Sequence, residues 1–225
     1  MLVLLRTSPV HVPVFDVLRD EDHPRLRHLV DEELLRRARR DGPGAVAGEV
    51  RAAVEGAAAE GARAVLCTCS TIGGVAEAAG GGAGVAVLRV DRPMAAAAVA
   101  AGARVVVAAA VESTLGPTAA LVEEEARHAG RTVSIRRLLV PGAWALFEAG
   151  DAEGYARAVA DAVDSVTDAD VIVLAQASMA PAQGLVTASV PVLSSPRPGL
   201  AAAARAVGAV RTEQAAEPAR GRGAG

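Results

Sequence analysis

The sequence contains no lysine: each of its 23 cationic side chains other than histidine is an arginine. That absence excludes pyridoxal-phosphate Schiff-base chemistry and P-loop phosphate binding, both of which need a lysine. Aromatic residues make up only 2% of the chain: Phe15, Trp144, Phe147 and Tyr155. Single-stranded nucleic acids bind on aromatic platforms beside basic stripes. With a formal net charge of -3 and scattered arginines, the chain offers neither, so no nucleic-acid partner is expected. Nor does any apolar run reach the roughly 18 residues of a membrane span, because Gly, Arg, Glu or Pro interrupts each one. No membrane partner is expected. Met1 to Arg6 runs directly into a strand and lacks the basic region, long apolar region and cleavage site of a signal peptide. The two cysteines, Cys67 and Cys69, are too few and too close for a disulfide framework. The expectation is a cytoplasmic protein with free thiols.

What is present is apolar matter in abundance, 52% of 225 residues, enough to bury a sizeable core. Apolar strand-like runs alternate with alanine-rich helical stretches, which predicts βαβ units and parallel sheets. The strands fall at 2–5, 64–66, 85–88, 104–109, 132–138, 171–174 and 190–193. Helices are predicted at 33–39, 44–60, 94–101, 118–129, 152–166, 183–188 and 199–206. These elements divide into two similar halves, giving an α/β fold of two Rossmann-like lobes whose parallel sheets face a central cleft. Residues 1–92 plus 193–211 would form the first lobe and 93–192 the second. Residues 212–225 lack apolar periodicity and read as a disordered tail.

Each half carries strand ends rich in small polar residues. Val65-Leu66-Cys67-Thr68-Cys69-Ser70-Thr71-Ile72-Gly73-Gly74 places a thiol and three hydroxyls where a buried strand runs out, and ligands of such sheets bind beyond the carboxyl ends of strands. Gly73 and Gly74 are expected to let the backbone turn into the next helix. Ser8, Thr114, Gln176 and Ser178 occupy the matching strand ends. Cys67 lies further back and reads as core. The pair could chelate a metal only with further ligands, which are not nearby in sequence, so no metal site is assigned. His11, in the loop after the first strand, could overhang the cleft, and His28 precedes Asp31-Glu32-Glu33; the alternative for both is a surface or helix-entry residue. The Asp31 to Glu33 cluster reads as charge complementing a helix dipole, and Glu123 to Glu125 as a solvated helix face.

The segment Leu66 to Thr71 resembles the first cysteine motif of the aspartate/glutamate racemase superfamily, in which a strand ends in Cys, then Asn or Ser, then Thr. Asp170 to Met179 is similar to the second motif, most nearly its hydantoin racemase version. Gln176 stands where the second cysteine is expected. The resemblance implies the two-lobed fold, a homo-oligomer, no cofactor, and a small amino acid or carboxylate as substrate. It makes Cys69 the reacting thiol, as acid/base or as nucleophile, with Ser8, Ser70, Thr71, Thr114, Gln176 and Ser178 as substrate contacts. An amide neither takes nor gives a proton near neutral pH, though its NH2 can donate to a developing enolate oxygen. Gln176 could equally be a packing amide that satisfies buried backbone. The expected activity is a cofactor-independent racemase or isomerase, with one-sided decarboxylase or cis–trans isomerase chemistry open to it. The alternative is a small-molecule binding or sensing protein that retains the cleft without catalysis.

Overall fold

The computed structural model describes residues 1–19 and 23–216. Leu2–Arg6 (β1), Ala64–Cys67 (β3) and Val171–Leu174 (β7) are buried at every position, and Arg104–Ala109 (β5) at all but its first. A strand with no polar face needs cover on both sides, which places it inside a parallel sheet. Two four-stranded parallel sheets result. One runs β2-β1-β3-β4, with Leu26–Val30 as β2 and Ala86–Arg89 as β4. The other runs β6-β5-β7-β8, with Ser134–Leu139 as β6 and Val192–Ser194 as β8. The same order occurs twice, giving the two similar α/β lobes expected from the sequence.

Helices cover both faces of each sheet. Glu32–Asp41 (α2), Ala47–Ala59 (α3) and Gly73–Ala79 (α4) bury Leu34, Val50, Val54 and Ala76 against Val3, Leu5 and Val65. On the opposite face, Val12–Leu18 (α1) and Pro196–Ala216 (α9) bring Phe15, Leu200 and Ala203 onto Leu2, Leu4 and Leu66. Each such leucine, valine or phenylalanine contributes about 1.5–3 kcal/mol on full burial. The second sheet is covered by Arg92–Ala101 (α5) and Glu112–His128 (α6) on one face. Ala143–Glu148 (α7), Ala152–Asp164 (α8) and the 3-10 segment Ala177–Gly184 cover the other. Among the described residues, no helix is long and apolar enough to cross a membrane.

Asp170 ties the base of the second lobe together. Its carboxylate accepts the N–H groups of Ala103 and Arg104 at 2.9 Å each and the Arg104 guanidinium at 2.7 and 3.0 Å. The guanidinium and backbone donors hold the Asp170 pKa down to about 2. At the far end of the chain, Gly199 lets α9 lie directly on the end of β4: a Cβ there would stand 2.3 Å from the Val90 carbonyl oxygen.

Several expectations need correcting. β2, α1 and α7 were not foreseen, and the helix expected at 183–188 is replaced by the 3-10 segment. Because β8 pairs with β7, residues 193 and 194 belong to the second sheet, and the chain returns to the first lobe at Ser195–Pro196. Residues 212–216 of the expected disordered tail continue α9, while 217–225 lie outside the described residues.

Candidate active site

In each sheet the strand order reverses at its first strand, so a crevice opens between β1 and β3 and between β5 and β7. Such switch points are where open α/β sheets hold their ligands. Thr7 and Ser8 follow β1, Thr68 to Thr71 follow β3, Thr114 lies in the first turn of α6 after β5, and Ala175 to Ala177 follow β7. All of them line one cleft of about 900 Å³. Of the residues expected there, the structure brings together Ser8, Cys69, Ser70, Thr71, Thr114 and Gln176. Ser178 is a correction. Beyond Gln176 the chain enters the 3-10 segment, which turns Ser178 into the core, 5% exposed, with its hydroxyl 2.9 Å from that of Tyr155.

The two cysteines have separate environments. Cys69 is half-buried at the cleft wall. Cys67 is fully buried, and its thiol donates to the Cys69 carbonyl at an S···O distance of 3.6 Å. Burial, reinforced by the neighbouring Cys69, pushes the Cys67 pKa far up, so it is a neutral core thiol. Gly73 and Gly74 have no left-handed backbone conformation. Gly73 is needed for a close approach instead: a Cβ there would stand 2.9 Å from Arg89 Nε. Arg89 is buried against Asp91, with Nε and Nη2 bonds of 2.6 and 3.0 Å, and Nη2 also donates to the Ser70 carbonyl at 3.4 Å. A buried ion pair thus backs the Cys69–Ser70 loop. The Ser70 hydroxyl donates across the cleft to the Ala175 carbonyl at 3.2 Å, joining the two lobes at its floor.

Gln176 performs the packing role that the sequence left open. Its Oε1 accepts the N–H groups of Ala110 at 2.7 Å and Val111 at 3.0 Å, so it satisfies the backbone between β5 and α6. Two donors on one atom settle which end of the amide is oxygen. The NH2 is left without a protein partner among the described residues, on a side chain that lines the cleft.

His28 is a second correction. It lies in the middle of β2 rather than at a helix entry, and it does not line the cleft. Its Nδ1 accepts from Arg6 Nε at 2.8 Å, which places its proton on Nε2, 3.0 Å from Asp16 Oδ1. Arg6 is 1% exposed and lies over the Phe15 ring at 4.5 Å; burial lowers its pKa to about 10, against the opposing pull of Asp16. His11 closes the 3-10 turn Pro9–His11.

Two groups of cleft residues escaped the sequence reading. α2 contributes Glu32, Leu35, Arg36, Arg39 and Arg40. Asp31 caps this helix as the dipole argument expects, accepting the N–H groups of Glu33 and Leu34 at 3.0 and 3.3 Å. Arg36 pairs with Glu33 and Arg40 with Asp41, whereas Arg39 has no ion pair among the described residues. α7 contributes Trp144, Phe147 and Glu148. The helix is launched by Gly142, whose φ of 74° is left-handed. The available signal was the scarcity itself: two of the four aromatics stand three residues apart immediately after Pro141-Gly142. Elsewhere, Glu124 and Glu125 pair with Arg92 instead of facing only solvent.

No protein-family model matches the sequence, and no curated protein does. Solved structures do match. The glutamate racemase of Bacillus anthracis superposes with a TM-score of 0.67 at 15% identity, over 95% of this chain and 82% of that one. The fold is that of the Asp/Glu racemases. The aspartate racemase of Picrophilus torridus gives a TM-score of 0.64 at 15% identity, over 92% of this chain and 94% of that chain. Arylmalonate decarboxylase, at 0.56 and 17%, is covered over 92% of each chain. At these identities the likeness is one of racemase fold.

Proposed function

We propose that this protein is a cofactor-independent enzyme of the racemase/isomerase type that acts on a small amino acid or other carboxylate, with Cys69 as its thiol acid/base. The observation that carries this reading is an asymmetry of the cleft. The first lobe presents a half-buried thiol, and the second presents the NH2 of Gln176, a donor and not a base. In that arrangement the Cys69 thiolate takes the α-proton and the C–H electron pair moves into the carboxylate as an enediolate. Gln176 Nε2–H donates to an enediolate oxygen, where charge develops; return of a proton by the thiol to the same face gives exchange with retention, and inversion requires a solvent proton delivered to the opposite face. The hydroxyls of Ser8, Thr71 and Thr114 are the proposed donors to the carboxylate, while that of Ser70 is engaged by the Ala175 carbonyl. A thiol on one face alone also suits protonation of an enediolate made by decarboxylation.

The test is proton NMR in D2O with amino acids, hydantoins, substituted malonates and maleate, for the wild type and Cys69→Ala. Deuterium uptake or turnover that vanishes in Cys69→Ala is the expected result, with exchange outpacing inversion. Silence across the panel in both proteins would move the reading to a binding or sensing protein that keeps the cleft.

A further inference from the structure

We infer that the substrate carries a flat apolar group, and that Trp144 and Phe147 are the residues that select it. This deepens the carbon-acid reading above and rests on it. A chain with so few aromatics places three of its four in one stack beside the cleft. Trp144 and Phe147 lie face to face, 4.9 Å between centroids at 26°, and both line the cleft. Phe147 rests on Tyr155 at 5.1 Å and 54°, and Tyr155 is only 2% exposed, with its hydroxyl held by Ser178.

The stack is also fixed from its outer end, because Trp144 Nε1–H donates to Glu148 Oε1 at 2.8 Å. The indole therefore keeps its orientation, and its only donor is spent. A polar substituent laid on this wall would lose water without gaining a hydrogen bond. A second carboxylate laid on these rings would also meet the negative charge of Glu148 beside them, whereas the cleft's arginines, Arg36, Arg39 and Arg40, come from α2 of the first lobe. A flat apolar group incurs neither cost and gains a stacked contact on a surface that is already ordered.

Trp144 is the chain's single tryptophan, so its fluorescence reports the wall directly. The wild-type protein is titrated with phenylacetate, propionate and succinate, which share a CH2–COO⁻ unit and differ in the group attached to it. Phenylacetate is expected to change the emission saturably, with a half-saturation roughly tenfold below those of propionate and succinate. Calorimetric titration of Trp144→Leu and Phe147→Leu, which keep apolar volume on α7, should bring phenylacetate towards the affinity of propionate and leave propionate unchanged. Equal affinities for the three acids, absence of binding, or parallel losses for phenylacetate and propionate in the variants would overturn the inference. These titrations need no turnover. Phenylacetate bound at the wall without any Cys69-dependent exchange on aryl acids would sink the catalytic reading alone, whereas Cys69-dependent exchange confined to aspartate would sink the aromatic preference alone.

Discussion

The amide of Gln176 has one task that the structure shows and one that is proposed, and a single-atom change separates them. Gln176→Glu keeps an oxygen to accept from the N–H groups of Ala110 and Val111 but removes the NH2 that the proposed chemistry uses. The variant is expected to keep the wild-type thermal midpoint while turnover, read by the same NMR assay, falls by about 10²–10³. Equal turnover would remove Gln176 from the chemistry and leave it a packing residue. At this scale the sequence was informative where chemistry and pattern coincide: Cys69 follows an apolar run, is flanked by hydroxyls, and reaches the cleft. It was uninformative where a local turn decides orientation. Nothing in Gln176-Ala177-Ser178 tells that the backbone tightens into a 3-10 segment and carries Ser178 to Tyr155.

Among elements, the interior strands were legible and the edge strand was not. β1, β3 and β7 are apolar throughout because both faces are covered, whereas Leu26-Arg27-His28-Leu29-Val30 is an edge strand with half-exposed positions. Its arginine and histidine hide the alternation that periodicity reads. Pro13 concealed α1 similarly: it suggests a break, yet it stands at the second helical residue, where a missing N–H costs nothing. The join between α5, β5 and β7 makes a prediction about pH. Asp170 has a folded pKa of about 2, below the roughly 3.9 of an unfolded aspartate. Its stabilising contribution is therefore complete above the unfolded value and is lost as pH falls through about 2. In urea titrations across pH, the deficit of Asp170→Asn should be constant from neutrality down to about 5 and then shrink between about 4 and 2. A deficit that stays constant to the acid limit would show that the carboxylate charge contributes nothing.

Over the whole molecule, the lobes are bound by more than the linkers between them. Ser70 bonds to Ala175 across the cleft floor, and α9, arriving from the second sheet, packs on the first. Gly199 is where that return meets the end of β4, and a methyl group there would overlap the Val90 carbonyl. Gly199→Ala is expected to destabilise the protein by about 1–3 kcal/mol, with a thermal midpoint lowered by several degrees in calorimetry. An unchanged midpoint would mean that α9 can shift without loss.

The same helix has a consequence for synthesis. The face formed by Leu2, Leu4 and Leu66 is complete early with Phe15 of α1 upon it, yet the rest of its cover, Leu200 and Ala203 of α9, leaves the ribosome on the order of a hundred residues later. At about 5–20 residues per second, that face waits roughly 7–27 s for the rest of its cover. Until then part of the nascent first lobe's apolar surface stays uncovered, and a stop anywhere before α9 leaves it so.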